Sequence, residues 1–204
     1  MRKGFTLLEL LIVMAILAIL ASILLVVVKP QQIFAKARDT QRKSDLRNLA
    51  QAVEVYMSET TSGANLTANY AAANGGCLGG ANSTVYYSTA AGAATVPAGF
   101  LATNLSNTNA TDGTGWLPIN FKGVAALNLN ALPLDPSNTA TDAKPGAYYT
   151  FGCRSSNTTY ELDARLEVLT ADSANDGGNN PQVYEVGTDK TILPAATSTT
   201  FYQQ

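Results

Sequence analysis

Glu9 is the first residue whose chemistry has to be accounted for. It is the single charge among the 24 residues from Phe5 to Val28, which are otherwise apolar apart from Thr6 and Ser22. A carboxylate at the centre of a membrane helix costs about 2.5–3.5 kcal/mol. Near a helix end the cost falls, because the side chain can reach back towards water. Either Glu9 rests among headgroups and does nothing, or it awaits a positive partner. A cut between Gly4 and Phe5 would supply one, the new α-amino group of Phe5. In a bundle of staggered copies, the amine of one chain can meet Glu9 of its neighbour.

The remaining chemistry is sparse. There is no histidine, so the commonest general base and metal ligand are both missing. Serine and cysteine triads are thereby excluded. The two cysteines, Cys77 and Cys153, are too few for a structural zinc site and too far apart for a CxxC redox motif. In an exported domain such a pair suggests one disulfide, which in the chain-entropy model would contribute about 4 to 4.5 kcal/mol. The alternative is two buried thiols. These absences point to a structural protein and not an enzyme. Glu161 and Asp163 read as the solvated face of a strand, not as an acid–base pair.

The element that must position Glu9 is the apolar run itself. As a helix, 24 residues span roughly 36 Å, more than the hydrocarbon core of a bilayer. Arg2 and Lys3 precede the run and Lys29 follows it. The basic start suits an export signal, but the run is too long for an ordinary cleaved one. Ala15, Ala18, Ala21 and Ser22 recur at three- and four-residue spacing, which lets helices approach closely. Pro30 predicts a bend or break between Val26 and Pro30.

Met1-Arg2-Lys3-Gly4-Phe5-Thr6-Leu7-Leu8-Glu9, followed by the apolar helix, resembles the leader and first helix of type IV pilins and type II secretion pseudopilins. The resemblance implies cleavage between Gly4 and Phe5 by a prepilin peptidase, N-methylation of Phe5, and a role for Glu9 in assembly. It also implies the partners: that peptidase/methyltransferase, copies of the chain and other pilins, an inner-membrane assembly platform and the lipid bilayer. The expected location is the bacterial inner membrane, single-pass, before assembly. Afterwards it is an extracellular or periplasmic filament. The competing expectation is a signal-anchored surface protein that never polymerises.

Four segments follow: a leader at 1–4, a transmembrane and assembly helix at 5–28, an amphipathic stalk helix at 29–62 and a pilin-like head at 63–204. In the stalk, Leu46, Leu49, Val53 and Tyr56 make one stripe at helical period, which Ile33 and Ala37 extend upstream. Asp39 and Lys43 form an i,i+4 pair, and Gly63 is the expected cap. The basic residues from Lys36 to Arg47 suit anionic lipid or a solvated, subunit-facing surface. Ala37 to Leu46 also resembles the matching helix of pseudopilin-like proteins.

In the head, residues 64–130 read as loop-rich, with one short strand inside Ser83–Thr89. An antiparallel sheet of three or four strands is expected over 145–190, from Ala147–Cys153, Thr159–Val168 and Gln182–Gly187. The fold class is α+β, a long stalk packed on a small antiparallel sheet. Leu132-Pro133-Leu134-Asp135-Pro136 resembles the phrase ahead of the sheet in major pseudopilins. In that subfamily a calcium ion can order the loop after the sheet. Asp172, Asp176 and Asp189 surround an Asn/Gly loop here and would be its ligands. An ordinary Asx-rich turn is the other reading. No other cofactor is expected. Residues 1–63 carry a net +3 and the remainder a net −5, so the folded part lacks the basic face of a nucleic-acid binder.

Overall fold

The computed structural model describes residues 4–59, 84–89, 101–138, 147–154 and 159–193. Helix α1 runs from Leu7 to Val28 and α2 from Pro30 to Glu59. Between them Lys29 adopts the left-handed conformation, with φ 43° and ψ 67°. Pro30 cannot donate back to the preceding turn, and its ring clashes there, so α1 stops as expected. Its fixed φ then suits the first position of a new helix.

Five strands form the head sheet: β1 (Thr84–Tyr87), β2 (Ala102–Leu105), β3 (Tyr149–Arg154), β4 (Thr159–Ala164) and β5 (Tyr184–Gly187). A short helix, α3 (Thr170–Ala174), lies between β4 and β5 in sequence. The spatial order is β2-β1-β3-β4-β5. β1–β3, β3–β4 and β4–β5 pair antiparallel, but β1–β2 pairs parallel. The α+β arrangement holds, while the sheet is mixed and larger than expected. The extra strand, β2, comes from the segment read as loop. β4 is also shorter than Thr159–Val168: Leu166 is still buried beyond the strand, but Val168 is 43% exposed.

The stripe Leu46, Leu49, Val53 and Tyr56 is buried, together with Ala50 and Ala52. It packs on the sheet face made by Tyr86, Tyr149, Phe151, Tyr160, Leu162 and Ala164. Trp116, Leu117, Ile119 and Phe121 complete this core from the loop between β2 and β3. Ile33 and Ala37 do not extend the stripe. They are exposed, and Ala35, Asp39 and Arg42 are buried instead. The opposite sheet face has its own apolar cover, in which Val183, Ile192 and Leu193 pack with Val85 and Tyr87. Glu161 and Asp163 lie under this layer, fully buried, not on a solvated face.

Candidate processing and assembly site

The N-terminal site is built on the start of α1. Thr6 is the N-cap, in an extended conformation, and Glu9 is the third helical residue. Glu9 Oε2 accepts from Thr6 N at 2.8 Å and from Thr6 Oγ1 at 2.9 Å. The Glu9 amide donates back to Thr6 Oγ1 at 3.3 Å. This is a capping box, and it satisfies helix-end donors that the chain otherwise leaves open. Both Thr6 donors meet Oε2, so Oε1 keeps lone pairs for a further donor. The Thr-x-x-Glu spacing was the readable signal for it.

Gly4 and Phe5 precede the cap, and Phe5 is 91% exposed. A Cβ built at Gly4 would meet nothing within 4 Å. The fold therefore makes no demand for glycine at that position. Leu7–Leu24 is long and apolar enough to cross a membrane, and none of it is buried within the chain. An apolar helix with no core to cover it needs another apolar environment.

A second constellation joins stalk to head. Arg42 on α2 is bound bidentately by Asp135, with Nε–Oδ2 at 2.7 Å and Nη2–Oδ1 at 2.9 Å. Its Nη1 also donates to Asp39 at 2.8 Å and to Glu167 at 2.7 Å. Asp39 in turn accepts from the amides of Glu167, Val168 and Leu169 at 2.8–3.0 Å. Asp39 thus pairs with Arg42, not Lys43, whose partner is Asp172. Burial opposes the charge on Arg42, but its bonds to Asp135, Glu167 and Asp39 together outweigh it and push its pKa up. Arg38 and Arg42 hold Glu167 down at about 2. Part of the stalk's basic surface is therefore consumed inside the protein. Asp135 belongs to the Leu-Pro-x-Asp-Pro phrase, which gives that phrase a physical task.

The loop aspartates do not gather. Asp172 faces Lys43, Asp176 accepts from the amides of Gly178 and Glu185, and Asp189 accepts from Thr191 and pairs with Arg154. Among the described residues, the carboxylates that do converge are Glu161, Asp163 and Glu185, with one oxygen of each within 4.8 Å of the others. Burial, then the nearby Asp163, push Glu161 up. Cys153 is fully buried on β3, whereas Cys77 and the expected cap Gly63 lie outside the described residues.

Residues 1–25 match the family model described as the prokaryotic N-terminal methylation motif. No curated protein and no solved structure matches the chain. The motif points to a type IV pilin-like precursor that is processed, and with the apolar α1 it fits a membrane-anchored one. It also favours a structural over a catalytic role.

Proposed function

We propose that this chain is a structural subunit of a type IV pilus-like or pseudopilus filament. Prepilin peptidase cuts it after Gly4 and methylates the amine of Phe5. The bilayer stores α1 until the subunit is added to the fibre, where α1 helices bury their apolar surfaces against one another. The match of residues 1–25 to the methylation motif carries this reading. The capping box supports it, because Thr6 holds one carboxylate oxygen of Glu9 at the helix start. The second oxygen is left for the ammonium of a neighbouring chain, an interaction that gains strength in an apolar bundle.

The Asp135–Arg42 lock supports a head of the major-pseudopilin type, through the Leu132 to Pro136 phrase. The burial of Cys153 is compatible with a Cys77–Cys153 disulfide, which belongs to the same exported state.

Mass spectrometry of the membrane-purified chain tests the processing step. The expected mature chain begins at N-methyl-Phe5, and an intact Met1 would overturn the filament reading. The same spectrum, read with and without reductant and alkylation, reports the disulfide.

A further inference from the structure

Glu161 and Asp163 project from β4 to the sheet face remote from the stalk, and Glu185 lies directly across from Asp163 on β5. All three are at most 1% exposed. Like charges opposite one another in a sheet are destabilising, and burial raises the cost. No ion pair among the described residues reaches Glu161 or Glu185.

Proximity of acids alone does not make a site, but a second observation concerns unfilled oxygens. Glu161 Oε2 is pinned by the Leu193 amide at 2.7 Å, and Glu185 Oε2 by the Asn180 amide at 3.1 Å. With one oxygen of each fixed, the other, Oε1 in both cases, is buried and has no hydrogen-bond partner. The backbone also makes room. Glu161 is flanked by glycine on both neighbouring strands, Gly152 and Gly187. A Cβ at Gly178 would lie 1.8 Å from Glu185 Oε2, so glycine there lets the chain close over that carboxylate.

We propose that Glu161, Asp163 and Glu185 bind a hard divalent cation of the calcium or magnesium class. The donors are all carboxylate oxygens, with no nitrogen or sulfur, which selects such ions over softer metals. The ion would offset the buried negative charge. It would also join β4 to β5 and, through the two pinning amides, to the segments at Asn180 and Leu193 that edge the outer apolar layer. The site lies in the head and does not depend on the filament reading.

The test is thermal unfolding of the detergent-solubilised full chain, stripped with EDTA and then given calcium or magnesium alone. At a hundredfold excess over Kd, binding raises the midpoint by about 5–10 °C. Glu161→Gln and Glu185→Gln keep the shape and abolish the shift. Asp172→Asn and Asp189→Asn, in the loop, leave it intact. Calorimetric titration of the stripped wild-type chain shows one ion per chain, a result that requires no variant to fold. A wild-type chain indifferent to both ions overturns the site and leaves protons as the neutralising species. An unchanged shift in the two glutamine variants, or its loss in the loop variants, places the ion elsewhere and overturns it equally.

Discussion

The guanidinium of Arg42 and the carboxylate of Asp135, 93 residues apart in the chain, meet through two parallel hydrogen bonds and are both almost wholly buried. Removing Arg42 takes the guanidinium from Asp135, Asp39 and Glu167 together in a water-poor site, whereas removing Asp135 leaves Arg42 its bonds to Asp39 and Glu167. Such losses typically cost about 3–5 kcal/mol, whereas replacing both members by apolar groups costs far less. Arg42→Met should lower stability by that amount and Asp135→Leu by less, because Arg42 keeps Asp39 and Glu167. The double variant should cost less than the sum of the two but not recover fully, because Asp39 and Glu167 still lose Arg42. Trp116 is the only tryptophan and is buried in the stalk–head core, so its fluorescence during urea unfolding reports the result. Additive losses in the double variant would show that the two residues do not act as a pair.

Glu167 supplies a pH dependence. Its folded pKa of about 2 lies below the ordinary 4.5, chiefly because Arg38 and Arg42 donate to it. Its stabilisation is therefore fully present above pH ~4.5 and is lost as the pH falls towards about 2. Unfolding midpoints measured across that window should fall more steeply in the wild type than in Glu167→Gln. Parallel profiles would remove Glu167 from the account of acid unfolding.

The sequence disclosed what local pattern encodes. The apolar α1, the break at Pro30, the Leu46–Tyr56 stripe and the alternation of Tyr160, Leu162 and Ala164 each repeat at a period that one face of one element imposes. It concealed what depends on partners far along the chain. Asp39 and Arg42 look like surface charges until Asp135 and Glu167 arrive from 93 to 128 residues away. Glu161 and Asp163 occupy the polar half of an alternating strand, a pattern that reads as solvated because Ile192 and Leu193, which cover that face, are not evident from β4. Ala102–Leu105 carries no alternation, and only pairing with β1 makes it a strand. At the N-terminus the Thr6-x-x-Glu9 spacing behind the capping box was legible, because its chemistry is contained within one turn.

Gly187 tests the geometry at the end of β5. Its φ of +157° suits glycine, and a Cβ there would come within 2.2 Å of the Tyr160 carbonyl oxygen, a backbone atom that cannot swing aside. Gly187→Ala should cost at least the ~1–3 kcal/mol of a strained backbone position. Gly123→Ala, where a Cβ meets nothing within 4 Å, should change stability by under about 0.5 kcal/mol. Equal urea midpoints for the two variants would contradict the close approach.

Glu9 separates charge from capping. Glu9→Ala removes both the carboxylate and the acceptor for Thr6, so the first turn of α1 should fray at a cost of about 0.5–2 kcal/mol. Glu9→Gln keeps an acceptor oxygen for Thr6 and removes only the charge. If Glu9 serves assembly by meeting the amino terminus of a neighbour, both variants should insert in the membrane and lose residues 1–4 normally. Both should then fail to give sheared filaments. Two assays on the same cells settle the comparison: mass spectrometry of the membrane-bound chain and filament yield in the shear fraction. Normal yield from Glu9→Gln with loss in Glu9→Ala would assign Glu9 to the cap alone. Normal yield from both would detach it from assembly altogether.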